Sequence, residues 1–564
     1  MRKWIGPALF VAMALLFFIA NRGATRGFFQ GDELDNIGWT PQIPLADFAK
    51  DLASPVYNAR NFRPVGHLYF RVMSRTFGLD FRRYLPPLHV LHLINVWLLW
   101  LVLRGLGSSR FAAGAGALFF AFHMAVFDVY WKPMYAFDLF CAAFCLLSML
   151  AWMHRRWVLS FAAFWLAYKS KELAVMLPAV LACYEVWLGK RQWKPLIPFF
   201  VVSLSFGLQG ILLNPNEDNS YAFQFTPAAI VASAQFYAAA LFGVPWAGFG
   251  VLALPAVWRK PRLWFGIAAT ALFFVPLVFL PGRLFSAYWY VPLIGLAIAV
   301  ASLADGRYGR WAAAVLLAIW LPWNYANLRD YRVQKLAEDA DVRAYVTQLR
   351  AAAPSFRDVR AFLYNGLPPS LPAWGVSGAL RYTFPDTNIQ LVRMDAPAAS
   401  KLLRSPWLAT LTWVERNKHL WVAVRTPETL DATYITMNEV TPVWQLTDGW
   451  YGPDEGYRWM EPHATARLYR ARQAQQFEVV MNLSAAVLQA IGHSDFSARL
   501  NGVTLGTARL EEPGIRILRW PLPAGPEGTV EVEFDAEPDY QASQNDPRKL
   551  GDAIMSFGFL PSGR

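Results

Sequence analysis

Long uncharged apolar runs fill roughly the first 320 residues of this chain, and they constrain its fold more than any other feature. Overall 55% of the 564 residues are apolar and 16% aromatic. In the first part they are gathered into blocks too long and too apolar for amphipathic surface helices. Backbone polar groups placed in lipid must be satisfied within the segment, so such blocks are expected as membrane-spanning helices. About eleven candidate spans are read at 4–20, 85–103, 111–127, 133–153, 157–168, 173–188, 195–213, 227–258, 263–280, 284–303 and 311–323. The first run follows Arg2 and Lys3 but lacks a small-x-small cleavage site, and is expected as a retained helix. The chain is therefore expected to be a polytopic α-helical membrane protein.

If the spans alternate, Arg2, Lys3, Arg104, Arg110, Arg155, Arg156, Lys190, Arg191, Lys194, Arg259, Lys260, Arg262, Arg307 and Arg310 fall on one side. The positive-inside rule makes that side cytoplasmic, with the N-terminus on it. The opposite short loops carry few cations, and those stand near Asp128, Glu172, Glu217 and Asp218. The formal charge of +12 is explained by the cytoplasmic hairpins rather than by a nucleic-acid surface. All three cysteines, Cys141, Cys145 and Cys183, lie inside apolar runs and are expected as packing residues.

Two segments outside the lipid are large. The loop 21–84 joins the first two spans, and with the spans makes a transmembrane domain over 1–323. Segments 44–53 and 64–77 within the loop suit short helices on the membrane surface. The tail divides into a small periplasmic α/β module over 324–440 and a β-sandwich over 441–564. In the sandwich Phe477, Val479, Met481 and Leu483 alternate onto one face, as do Val530, Val532 and Phe534. Asn501-Gly502 suits a tight hairpin turn. No repeat with a period of about 20–50 residues is present.

Three constellations carry candidate chemistry. Asp32 and Glu33, with Asp35 close behind, follow the first span; on a loop one carboxylate could take a proton while the other orients it, or both could share a cation. Helix capping by Asp32 or Asp35 is the plainer alternative. Asn61-Phe62-Arg63-Pro64 precedes the second span, where a guanidinium could hold a phosphate, whereas Arg71, Arg75, Arg82 and Arg83 are expected to snorkel to headgroups. Inside or at the ends of spans stand His92 and Asn95, Lys132, Asp138, the run Lys169-Ser170-Lys171-Glu172, and Arg283 ahead of Tyr288. Ionisable groups at such depth are costly and mark functional sites, although interhelical hydrogen bonds and structural salt bridges are alternatives. The span 157–168 is only about twelve residues long, so the charged run after it is expected below the headgroups, facing a water-filled cavity.

The order of Asp32-Glu33, Phe62-Arg63-Pro64, Tyr69-Phe70-Arg71, His92-Leu93-Ile94-Asn95, Asp138-Leu139, Ser170-Lys171-Glu172 and Arg283 before Tyr288-Trp289-Tyr290-Val291-Pro292 resembles the membrane part of the tetratricopeptide-repeat-bearing protein O-mannosyltransferases and their bacterial relatives. Those are glycosyltransferases of the GT-C fold. The resemblance covers roughly residues 1–330, and no tetratricopeptide array follows it here, so the acceptor does not carry over.

The resemblance implies a hexosyltransferase that moves a sugar from a polyprenyl-phosphate donor to an acceptor hydroxyl on the outer face of a bacterial inner membrane, with inversion. Asp32, helped by Glu33, would be the base. Arg63, Lys132, Asp138, Lys169, Lys171, Glu172, Arg283 and Tyr288 would hold the donor, with Asp35, Asn61, His92 and Asn95 in support. The acceptor is left open among glycan, lipid and protein; membrane lipids are partners and nucleic acid is not. A divalent cation at Asp32 and Glu33 is left open as well. The chain has no P-loop, no Gly-x-Gly-x-x-Gly after a strand and no Gly-x-Ser-x-Gly elbow, so no nucleotide cofactor is expected. The rival expectation is a flippase for lipid-linked sugars, which would also bury Lys, Asp and His within spans. A glycan-binding receptor with a membrane anchor is a third. Trp450, Tyr451 and Trp459 are candidates for carbohydrate contact or for core packing.

Overall fold

A computed structural model describes residues 5–56, 62–213, 222–385, 388–454, 456–541, 546 and 548–561. The chain divides into two compact units, Met1–Val342 and Arg343–Arg564.

The first unit is helical. Among the described residues five helices are long and apolar enough to cross a membrane, at Ala8–Arg26, Phe81–Gly105, Pro133–Met153, Lys194–Leu212 and Pro261–Val278. Two bent pairs raise the count to as many as seven: Arg110–Ala121 with Met124–Trp131, turning by 45°, and Pro227–Phe242 with Ala247–Val257, turning by 86°. Each of the other apolar runs also falls on helix, but in pieces. The 157–168 run lies in Trp157–Ser170, the 173–188 run in Leu177–Trp187, the 284–303 run in Leu293–Ala304, and the 311–323 run within the long helix Arg307–Ala352. The unit turns Leu9, Leu15, Leu204, Leu208, Leu212, Leu316 and Ile319 outward, each more than half exposed. An apolar belt of this kind is at home in lipid, and the protein is a multi-pass membrane protein.

Helices approach closely where side chains are smallest. A Cβ on Gly295 would lie 2.4 Å from the Gly266 carbonyl oxygen, and one on Gly266 would lie 2.6 Å from the Gly295 carbonyl oxygen. Thr270 uses the contact, its hydroxyl donating to the Pro292 carbonyl at 3.2 Å. Small residues at helix crossings let backbones meet and so gain dispersion contact where no hydrophobic effect operates.

Between the first two long helices the chain forms short helices Gly31–Trp39, Leu45–Ala53 and Pro64–Phe77. The last two match the expected surface segments. Arg71 does not snorkel: it is only 6% exposed and donates to the carbonyls of Thr40 at 3.2 Å, Pro41 at 2.9 Å and Ile43. A guanidinium's fan of donors suits a tight turn that presents several carbonyls to one side.

The second unit begins with a four-stranded sheet of β1 (Ala361–Asn365), β2 (Gln390–Arg393), β3 (Leu408–Val414) and β4 (His419–Arg425), in the order β2-β1-β3-β4. Its first three strands are parallel, and β4 returns antiparallel on β3. Nine strands follow: β5 (Tyr434–Thr436), β6 (Leu446–Pro453), β7 (Arg458–Arg470), β8 (Ala474–Leu483), β9 (Ser494–Leu500), β10 (Val503–Leu510), β11 (Gly514–Pro521), β12 (Gly528–Glu537) and β13 (Ala553–Pro561). They run β10-β9-β12-β7-β13-β8-β11, with β5 on β13 and β6 on β7.

Hydrogen bonding is continuous through these nine strands, so the two layers expected of a sandwich are parts of one sheet. The sheet curls until its ends meet, and the Trp520 indole of β11 lies over Gly506 of β10, where a Cβ would come within 2.0 Å of it. Phe477, Val479, Met481, Val532 and Phe534 fill the enclosed core. Asn501 and Gly502 both take positive φ, 47° and 78°, as a tight β9–β10 hairpin requires. Trp450 is packed into this core, 5.6 Å from the Phe557 ring and parallel to it, with its indole N–H on the Thr465 carbonyl. That placement gives Trp450 a packing role.

Replacing Gly295 by valine is expected to lower the stability of the helical unit by about 1–3 kcal/mol. Thermal unfolding in detergent checks this, and an unchanged midpoint would show that the two backbones do not depend on their contact.

Candidate active site

Asp32 and Glu33 stand in the first turn of the helix Gly31–Trp39, not on a loop. Gln30 is the N-cap, and its side chain and that of Glu33 form a reciprocal capping box, a device that satisfies amides a helix start leaves without partners. The Gln30 amide donates to Glu33 Oε2 at 2.8 Å, and the Met134 amide donates to Oε1 at 3.2 Å. Glu33 is 2% exposed with both carboxylate oxygens engaged, whereas Asp32 beside it is exposed. Asp35 is half-buried, and Asn36 donates to the Asp32 carbonyl at 2.7 Å and touches the Met134 sulfur. Burial raises the Glu33 carboxyl above its usual range, against the pull of Lys132 and the Gln30 amide.

The Met134 amide belongs to the turn that opens the helix Ala136–Met153, so Glu33 ties the Asp32 helix to the segment that carries Asp138. Asp138 lies in the first turn of that helix and accepts from Lys171 Nζ at 2.6 Å; its side chain is 2% exposed and that of Lys171 12%. The Lys171 ammonium also sits 4.3 Å from the centre of the Tyr288 ring. Tyr135 joins the groups electrostatically, lying within reach of Asp128, Tyr288, Asp138 and Glu33.

The short helix Trp157–Ser170 ends as the sequence suggests, with Lys171 extended at φ −160° and a 3-10 turn over Glu172–Met176. Breaking the helix there sends the side chains of this run to different places. Glu172 accepts from Arg63 Nε at 2.7 Å, and the guanidinium lies over the Phe137 ring. Lys169 donates to the Ser54 carbonyl at 2.8 Å. Arg63, Lys169 and Glu172 line one cavity together with Asp51, Val56, Phe62 and Tyr168.

The other candidates are placed as follows. Lys132 pairs with Asp128 at 3.4 Å. Burial disfavours its charge, but Asp128, Tyr331 and Glu33 outweigh that and hold it above the ordinary lysine value. Arg283 is half-buried with its guanidinium over the Phe285 ring. His92 Nδ1 meets the Tyr290 hydroxyl at 2.8 Å and Nε2 meets the Ala121 carbonyl at 3.2 Å, while Asn95 donates to the Leu139 carbonyl and to Tyr290. These two link helices, the interhelical alternative. Asn61 lies outside the described residues.

The residues do not suit a cation at Asp32 and Glu33. Glu33 gives both oxygens to amides, and among the described residues no group of three or more His, Cys, Asp or Glu side chains comes together as a metal site.

One part of the neighbourhood was not singled out in the sequence. Tyr331, Lys335 and Asp339 recur every four residues on the helix Arg307–Ala352. Tyr331 donates to Asp128 at 3.1 Å, and Lys335 and Asp339, both buried, pair at 3.4 Å. The spacing itself was the available signal, since residues four apart share a helix face.

No family model matches the chain, and no curated protein does. Solved structures do show a likeness. ArnT from Cupriavidus metallidurans, in apo form and bound to undecaprenyl phosphate, is 14% identical, and the match covers 74% of this chain and 94% of that one at a TM-score of 0.40. The arabinofuranosyltransferase AftD from Mycobacteria is 13% identical over 98% of this chain and 58% of that one, at 0.44. The arabinosyltransferase EmbB from Mycobacterium smegmatis is 14% identical over 98% and 64%, at 0.32. This chain therefore spans little more than half the length of AftD. At such identities and scores these structures say what the chain is similar to and nothing about its substrate.

Removing one partner of the Lys171–Asp138 pair strands a buried charge. Lys171→Met is expected to cost about 3–5 kcal/mol of stability, with much of the loss recovered in the Lys171→Met/Asp138→Leu double variant. Unfolding in detergent measures both, and equal losses in the single and double variants would rule out charge stranding.

Proposed function

We propose that the helical unit is a glycosyltransferase that moves a sugar from a polyprenyl-phosphate donor to an acceptor hydroxyl, with inversion at the anomeric carbon. The observation that carries this reading is that Glu33 docks the Asp32 helix onto the segment bearing Asp138, whose carboxylate pairs with Lys171 from the end of the next helix. The cavity of Arg63, Lys169 and Glu172 supplies further cations from the same broken-helix region.

In this reading Asp32 is the base and Glu33 positions it. The hydroxyl proton passes to an Asp32 carboxylate oxygen as the acceptor oxygen forms a bond to the anomeric carbon. The bond from that carbon to the phosphate oxygen breaks, and its electron pair leaves on the lipid phosphate. Charge grows on the departing phosphate, so fixed cations favour the transition state over the bound donor. Lys171 and the pair Lys169 and Arg63 are the groups suited to this. Lys171 pairs with Asp138 and Arg63 with Glu172, while Lys169 donates to the Ser54 carbonyl, and these contacts fix where each cation stands.

In this reading the site faces outward and the β-rich tail is exported, which the asymmetry of basic residues among the loops supports, and the membrane is the bacterial inner membrane that the resemblance implies. Sugar and acceptor classes follow from neither the site nor the tail.

Asp32→Asn is expected to insert and fold normally while losing on the order of 100-fold or more in transfer. The assay is movement of radiolabelled sugar from a polyprenyl-phosphate donor to acceptor material in vesicles. Full activity in the variant removes Asp32 from the chemistry, and donor crossing the bilayer without bond cleavage identifies a flippase instead.

A further inference from the structure

The loop that leads into the Asp32 helix is held from outside by the helix Arg307–Ala352. Asp339 is 2% exposed and takes three partners. The Phe28 amide donates to its Oδ2 at 3.1 Å, the Gln30 side-chain amide donates to Oδ1 at 3.2 Å, and Lys335 Nζ stands 3.4 Å from Oδ1. Gln30 is the N-cap of the Asp32 helix, so the carboxylate grips the residue from which that helix starts.

Gly27 shows how closely the two segments meet. A Cβ there would lie 2.9 Å from Asp339 Oδ2 and 3.1 Å from Phe81 Cε1. With the Ala24 carbonyl also 3.1 Å away, a larger residue there would have to shift the loop, the Asp339 side chain or both.

One turn earlier on the same helix face, Lys335 is 3% exposed and close enough to act on the Glu33 charge. Its ammonium pairs with Glu338 as well as Asp339, and Lys132 opposes it from the facing loop. Tyr331, a further turn back, bonds Asp128, the partner of Lys132. Two side chains of one helix face, Asp339 and Tyr331, thus bond the two segments on either side of Glu33, with Lys335 between them.

A plain structural salt bridge would need only Lys335 and Asp339. The extra bonds to Phe28 and Gln30 are aimed at one loop, and buried carboxylates are retained at a cost in desolvation that those bonds offset.

We propose that Asp339, supported by Lys335, is a positioning residue for the transfer reaction, holding the Phe28–Gln30 segment so that the Asp32 carboxylate stays fixed against the donor site. This rests on the transferase reading above. Small displacements of a catalytic group have large kinetic effects, so loss of the grip falls on turnover rather than on donor binding.

The test uses the full chain in detergent or vesicles. In Asp339→Ala, backbone amide exchange over residues 27–34 is expected to rise while exchange in the other helices stays as in the parent. Transfer kcat is expected to fall on the order of 10-fold to 100-fold, with KM for the polyprenyl-phosphate donor within about twofold. Asp339→Asn keeps one acceptor oxygen and the side-chain volume; it is expected to retain more protection and more turnover, and it serves if the alanine variant folds poorly. Unchanged exchange over 27–34 in Asp339→Ala overturns the proposal, as does an equal loss of kcat in the alanine and asparagine variants. A loss confined to folded yield, with normal kcat per folded molecule, overturns it too. Exchange needs no substrate: a parent protein without transfer activity would sink the transferase reading alone, and the exchange contrast would still decide whether Asp339 holds the loop.

Discussion

The arrangement around the site depends on Glu33 accepting two backbone amides at once, one from its own helix cap at Gln30 and one from Met134, about a hundred positions further along the chain. A single carboxylate therefore closes the start of one helix and the approach to another. Buried 2% exposed amid apolar groups, it would be costly to leave unpaired, and the two amides together with Lys132 and Lys335 offset that cost. Asp32 is left facing outward because its neighbour faces in, as consecutive residues on a helix must point about 100° apart.

From that anchor the charged groups fall into linked pairs. Lys171 with Asp138 and Arg63 with Glu172 join elements that the chain order keeps apart, whereas Lys132 with Asp128 and Lys335 with Asp339 are local pairs four residues apart. Pairing is the condition for keeping so many ionised groups in a poorly solvated unit. It also fixes their geometry, since a buried ion pair has few alternative positions. The break in helix at Lys171 makes the distribution possible: Lys169 and Glu172 line one cavity with Arg63, while Lys171 between them turns to Asp138.

Much of this was legible in the sequence, for identifiable reasons. Apolar run length found the helical segments, alternation found the faces of β8 and β12, and the short 157–168 run signalled the break. The Asn501-Gly502 hairpin followed from the backbone freedom of those two residues. What escaped depends on contacts between distant segments. Asp32 and Glu33 suggested a loop because Gln30 is a weak cap in isolation, and only its exchange of bonds with Glu33 makes the helix start there. Arg71 suggested a headgroup anchor because nothing local shows that the carbonyls of Thr40, Pro41 and Ile43 turn toward it. The Tyr331, Lys335 and Asp339 stripe had the right period, but its partners lie some two to three hundred residues earlier. The hydrogen bonding that joins the two layers into one sheet was hidden for the same reason, since pairing order is not written in alternation.

The curling of that sheet matters for a β-rich unit with no covalent cross-link, as all three cysteines belong to the helical part. An open sheet ends in strands whose free amides and carbonyls invite a neighbour's strand to add on. Here Trp520 of β11 packs over Gly506 of β10, while β5, β6, β10 and β11 each pair on one side only among the described strands. Without disulfide reinforcement, the unit relies on its continuous strand pairing and on the core that the pairing encloses to stay folded.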